Sequence, residues 1–287
     1  MRKNTGALVL FAACFAACSG GAPGARGGLL PQSRAAAPEA TLRTHIKHLV
    51  IIVQENRSFE NLFAGFPGAN TRRYGYWHSE KVPLHEVTFT PANPTMRDMV
   101  HDWTSAHLDW DKGAMDGFGD NTFSQGTGAA TWPYAYLKRS LVKPYWDLAS
   151  QYVLADHMFP TMFGASFTAH LDLISGTTDV SPKVSEVDWP DGSRWGCDSN
   201  AGATTSLVTP TQFEPGAGPF PCFTQFRTMA DTLDGARISW KYYAPGVNGG
   251  DLGGAIWSEF SAIRNVRYGA DWAKVDAVAI DRAFAQR

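Results

Sequence analysis

Ile46-Lys47-His48-Leu49-Val50-Ile51-Ile52-Val53, followed at once by Gln54-Glu55-Asn56-Arg57-Ser58, is the stretch that decides the fold. The first part is rich in β-branched residues and almost continuously apolar. That is the pattern of a strand covered on both faces, as in a parallel sheet. The second part is an abrupt polar cluster, and open α/β sheets build their sites just past the carboxyl ends of their strands. Glu55 offers a charged oxygen, and Asn56 offers a neutral oxygen or an N–H donor. The pair suits a hard or borderline cation, or an anion held beside one. The competing reading is a solvated turn in which Asn56 caps the helix that follows.

Working outward, residues 59–63 read as a short helix stopped by Gly65 and Pro67. Residues 68–140 are irregular and rich in Gly, Pro and Trp, with a helix expected within 96–110 and a loop at 115–118. Residues 144–151 read as a helix with Pro144 in its first turn. Residues 152–155 read as a strand and 168–174 as a helix. In 221–233, Phe223, Phe226, Met229 or Ala230, and Leu233 recur at helical spacing. Residues 238–243 read as a strand, and 257–266 and 272–284 as helices. Alternating strands and helices predict an α/β fold, with a mostly parallel central sheet flanked by helices.

The N-terminus reads as an export signal over residues 1–18. Arg2 and Lys3 are followed by an apolar run over 6–17, too short to span a bilayer as a helix, and then by small residues. Two outcomes stay open. Residues 15–20, Phe-Ala-Ala-Cys-Ser-Gly, are similar to a bacterial lipoprotein processing site, which would put a lipid and a membrane attachment on Cys18. Ordinary cleavage near Ala17 would discard Cys14 and Cys18. Residues 19–39 are rich in Gly, Ala and Pro and read as a flexible tether. The expected location is therefore outside the cytoplasm: periplasmic, surface-anchored or secreted.

The folded part, 40–287, is about 245 residues, enough for one large domain. The chain is 44% hydrophobic and 18% charged with a net charge of −2, and no basic excess points to a nucleic-acid partner. Beyond the leader only Cys197 and Cys222 remain, with no second Cys or His at metal-ligand spacing. In an oxidising compartment they are expected to pair.

Gly164-Ala165-Ser166-Phe167-Thr168-Ala169-His170 is the second constellation. Small residues surround a serine where a strand-like stretch turns into a helix. The N–H groups of a helix start favour a bound phosphate, and a serine nucleophile needs a base or a metal beside it. The bland alternative is that Ser166 or Thr168 only caps the helix.

The segment 51–59, Ile-Ile-Val-Gln-Glu-Asn-Arg-Ser-Phe, resembles the opening motif of the phospholipase C/acid phosphatase family, within the alkaline-phosphatase-like superfamily. Segments 100–103, 113–118, 155–159, 164–170, 195–198 and 239–245 are similar to family segments in the same order. The resemblance implies an alkaline-phosphatase-like fold and a hydrolase acting on a phosphate monoester or a phospholipid. It implies that Ser166 is the nucleophile, forming a phosphoserine intermediate. It places Glu55 and Asn56 with Ser166 beside a divalent cation of unspecified identity, and His101 at the site as hydrogen-bond or proton donor. Asp102 and Asp116 are expected to be structural, and His157 and His170 to serve packing or capping.

The resemblance also implies downstream acidic and histidine segments that this sequence lacks. The expectation is therefore an N-terminal part of the phosphoesterase domain, incomplete at its C-terminus, with little activity alone. The alternative is a non-catalytic exported lipoprotein, or a fragment of the same fold. A serine esterase is disfavoured because 164–168 lacks the second glycine of a nucleophile elbow.

Overall fold

The computed structural model describes residues 45–54, 57–88, 99–124, 126–191, 195–244 and 258–276. The leader, the tether, Cys18, Glu55 and Asn56 lie outside the described residues. The chain divides into two compact units, 1–55 and 56–287.

In the first unit, residues 46–53 do not form the expected strand. Leu49 is 81% exposed and Ile51 76%. A strand buried on both faces needs neighbours for its backbone groups and covers for its side chains. Among the described residues no strand pairs with this run.

The second unit mixes helices and sheets. Helix α1 (Phe59–Phe63) starts at Ser58, which forms a reciprocal capping box with Asn61. A hairpin of β1 (Tyr74–Trp77) and β2 (Glu80–Pro83) follows. Strand β3 (His85–Val87) precedes helix α2 (Trp103–Trp110). Asp102 caps α2 by accepting the Ser105 N–H at 2.8 Å, the structural role expected of it. Strand β4 (Ala135–Leu137) pairs in parallel with β3. Helix α3 (Lys143–Gln151) carries its proline in the first turn, as the sequence indicates. Leu137, Val142 and Trp146 form a small core with Leu62, Phe63 and Phe66 from around α1. The expected strand at 152–155 is also missing: Tyr152 is 73% exposed and Val153 91%.

Helix α4 (Ser166–Ser175) ends at Gly176, whose φ of 70° is the left-handed cap that glycine adopts without strain. It buries Phe167, His170, Leu171 and Ile174, spaced along one face. That face lies in the main core with Trp195, Phe223, Phe226, Phe260, Ile263 and Val266. The burial of His170 agrees with its expected packing role.

Strands β5 (Asp179–Ser181), β6 (Val184–Val187), β7 (Ser206–Val208) and β8 (Phe213–Glu214) form a four-stranded antiparallel sheet. Among the described residues, parallel pairing occurs at β3–β4, at β9 (Tyr242–Tyr243) with β10 (Val275–Asp276), and at a single bridge between Phe223 and Ile263. A mixed helix-and-sheet protein is therefore present, without a central parallel sheet among the described strands.

Between β8 and β9, the helix expected over 221–233 is confined to α5 (Met229–Gly235). Residues 221–228 are held out of helical form by Pro221, by the disulfide of Cys222, and by the Thr228–Asp231 capping box, which starts the helix late. The expected helix over 257–266 is a 3-10 turn, Glu259–Ala262, followed by α6 (Arg264–Arg267).

Cys197 and Cys222 form the expected disulfide, closing a loop with a sequence separation of 25. A crosslink of that span stabilises by about 3 kcal/mol in the chain-entropy model. Arg267 grips Asp198 beside it with two N–H groups, at 2.9 and 3.2 Å.

The core also holds two carboxyls, Glu186 and Glu259, both fully buried. Burial pushes Glu186 up to about 8, against one hydrogen bond donated by the Thr205 hydroxyl at 3.3 Å. Burial, and then the charge of Glu186, holds Glu259 well above the usual carboxylate range.

Two predictions follow from this packing. Phe167→Ala should cost about 3–5 kcal/mol in urea or thermal unfolding, because a fully buried ring leaves a cavity behind. The buried glutamates set a pH dependence. The unfolded chain ionises them near the ordinary value, so their stability contribution is full below that and declines as pH rises toward about 8. Urea unfolding should show a loss on the order of a few kcal/mol between pH 5 and pH 8, which Glu186→Gln reduces without abolishing, because buried Glu259 remains. An unchanged slope in that variant would contradict the assignment.

Candidate active site

Ser166 is the first residue of α4 and is half-buried. Its own side chain does not cap the helix: the N-cap position is Ala165, which has no side-chain cap. Thr168 does not cap it either; its hydroxyl donates back to the Ala165 carbonyl at 3.3 Å. The bland explanation for a serine at this turn is thereby removed. Gly164 before it has φ of 130°, and a Cβ there would come within 3.3 Å of the Asp188 backbone nitrogen. Only glycine lets the chain enter the helix this close to its neighbour.

His101 precedes α2. Its Nδ1 lies 2.7 Å from the Met99 carbonyl oxygen. A carbonyl can only accept, so Nδ1 carries the proton in the neutral ring and Nε2 is the free-facing nitrogen. The His101 ring meets Trp189 edge-on, with centroids 6.1 Å apart, and Trp189 stacks on Trp195 of the core at 6.3 Å.

A residue that sequence reading missed lies against the starts of both helices. Asp188 follows β6 and is only 9% exposed. Its Oδ1 accepts the Trp103 N–H at 2.5 Å. The Ala165 N–H lies near enough to favour its charged form. Burial pushes Asp188 up to about 6, and the charge of Asp102 adds to this, while both N–H groups act against it. A usable signal existed: Asp188 stands just past a strand end, the same cue that singled out Glu55.

Phe163, 43% exposed, lies against Trp103, His107 and Trp110 of α2, with ring centroids 6.1, 5.6 and 6.2 Å away. An accessible aromatic wall therefore flanks the start of α4. Asp116 accepts the Ser79 N–H at 2.7 Å, the structural use expected of it. His157 sits on the surface with Asp156 at 3.0 Å and Asn70 at 3.2 Å.

Of the expected cation ligands, only Ser166 lies among the described residues. No group of three or more His, Cys, Asp or Glu able to hold a metal occurs among those residues. Asp188 is committed to a backbone donor, so the described residues alone do not build a cation centre. No helix among them is long and apolar enough to cross a membrane.

Comparison with known proteins agrees with these motifs. The chain is 25% identical over 250 residues to a hemolytic phospholipase C of Pseudomonas aeruginosa, covering 80% of this chain and 30% of that protein. It is 26% identical over 219 residues to phospholipase C A of Mycobacterium tuberculosis, covering 70% and 38%. Against phospholipase C B of the same organism it is 26% identical over 260 residues, covering 81% and 45%. The chain thus spans less than half the length of these relatives. The Phosphoesterase family profile matches residues 46–274, and the chain belongs to that family.

Proposed function

We propose that this chain carries the nucleophile-bearing part of an exported phosphoric-ester hydrolase. The observation that carries this reading is Ser166 at the first position of α4, with no capping duty, beside a buried hub that also holds the start of α2. The first N–H groups of a helix lack intrahelical acceptors and suit phosphate oxygens. Ser166 Oγ attacks phosphorus, and the P–O bond to the alcohol breaks. His101 Nε2, when protonated, delivers a proton to the leaving oxygen. Water then attacks the phosphoserine, releasing phosphate or a phosphorylated headgroup and restoring Ser166.

Glu55, Asn56 and Ser166 are read as holding a divalent cation, which when bound makes the serine alkoxide accessible and neutralises charge on the phosphoryl group. Residues 1–18 are read as the export signal, 19–39 as a tether and 40–287 as the first part of the catalytic domain. The Cys197–Cys222 disulfide supports an oxidising destination. A mostly parallel, alkaline-phosphatase-like sheet belongs to this reading, and the parallel pairs β3–β4 and β9–β10 support it.

The test is hydrolysis of an aryl phosphate and of phospholipid vesicles by the full-length protein and its variants. Ser166→Ala should lower kcat by about a thousandfold or more, and His101→Ala by about 10²–10⁴-fold. Equal nonzero rates for wild type and Ser166→Ala would remove the serine from the mechanism. Chelation should abolish turnover and added divalent cation restore it; a chelator-insensitive rate would dismiss the cation.

A further inference from the structure

Asp188 is the point where the starts of two helices meet. Its Oδ1 takes the Trp103 N–H at 2.5 Å, two residues after His101. The start of α4 lies against the same residue: a Cβ at Gly164 would come within 3.3 Å of the Asp188 backbone nitrogen, and the Ala165 N–H, one residue before Ser166, is near enough to favour the charged carboxylate. Resting on the reading of Ser166 as nucleophile and His101 as its proton partner, we propose that Asp188 is a positioning residue for this reaction. Its carboxylate joins the first turns of α2 and α4 and so sets where His101 and Ser166 stand relative to each other.

Both N–H groups belong to helix starts that have no acceptor of their own. A carboxylate is the favoured group there, since both helix dipoles present their positive ends to it. Its two oxygens can serve two donors at once. An asparagine has only one oxygen and would turn its amide N–H groups toward a second N–H donor. The hub is itself immobilised. Val187 before it is buried, Glu186 is fully buried in β6, and Asp188 holds a left-handed φ of 61° that an aspartate tolerates. Trp189 after it lies against His101 and stacks on Trp195 of the core. One tripeptide, 187–189, thereby touches the core, the start of each helix and the catalytic imidazole. A misplacement of about 1 Å between reacting groups costs on the order of a hundredfold in rate, so a residue that fixes this spacing governs turnover more than binding.

The test uses the full-length protein. Asp188→Asn should lower kcat on an aryl phosphate at least about tenfold with KM changed less than about twofold. In a His101→Ala background the same substitution should cost less than about twofold, because two groups acting through one geometry are not additive. Hydrogen exchange supplies a readout that does not depend on turnover: segments 101–106 and 164–169 should lose protection together in Asp188→Asn. The exposed Asp191, which accepts the Thr204 N–H, serves as control, and Asp191→Asn should leave both segments unchanged. Retained protection at both segments, an unchanged kcat, or a kcat loss that only tracks the folded fraction by near-ultraviolet circular dichroism would overturn the proposal. If wild type and Ser166→Ala hydrolyse equally, the nucleophile reading fails, and a retained joint loss of protection still assigns Asp188 to joining the helices.

Discussion

The burial of Phe167 is the constraint on which the site depends. The ring is fully buried, edge-on to Trp195 at 5.9 Å and tilted against Phe223 at 6.3 Å. Burying a side chain of this size contributes about 1.5–3 kcal/mol. It also fixes the rotation of α4. With Phe167, His170, Leu171 and Ile174 turned inward, Ser166 falls at the edge of the buried face and Leu173 faces out, 55% exposed. The orientation of the serine is thus a by-product of packing its neighbour. Nothing at the helix start uses the Ser166 hydroxyl as a cap.

Strand β6 supplies the second constraint, and it does so with charge. Glu186 enters the core and Asp188 enters the junction between helix starts, both nearly without solvent. The two are handled differently. Asp188 has a backbone donor on Oδ1 and settles at about 6. Glu186 has a single hydroxyl donor and is pushed up to about 8. The physical distinction is first the depth of burial, which is complete for Glu186, and only then the hydrogen bonds that reach the charged form. A protein that tolerates such groups trades stability for placement, as expected where buried polar residues specify geometry.

What could be read from the chain divides along the same physical line. The α4 helix, α3 with its first-turn proline, the α1 helix and the Cys197–Cys222 pair were legible because local chemistry decides them. Residues 221–233 misled because their spacing is that of a helix: Phe223, Phe226 and Ala230 are all buried, but only Ala230 lies in one, α5, while Phe223 and Phe226 precede it in non-helical chain. The strands at 46–53 and 152–155 are long-range structures whose formation rests on partners, and pattern alone does not supply those. In the site, Ser166 and His101 announced themselves through motifs, while Asp188 did not. Its partner is a backbone N–H, that of Trp103, far away in sequence, and backbone donors leave no mark in a pattern of side chains.

The bare run at 46–53 has a consequence for how the molecule behaves in bulk. Val50, Ile51 and Ile52 stand 77%, 76% and 73% exposed, with no charge or proline between Leu49 and Val53. Short β-prone segments of this composition are the units from which cross-β assemblies are built. A net charge of −2 offers little electrostatic repulsion between copies. Covering or breaking that run with a charge or a proline would therefore raise the concentration at which the isolated chain stays dispersed.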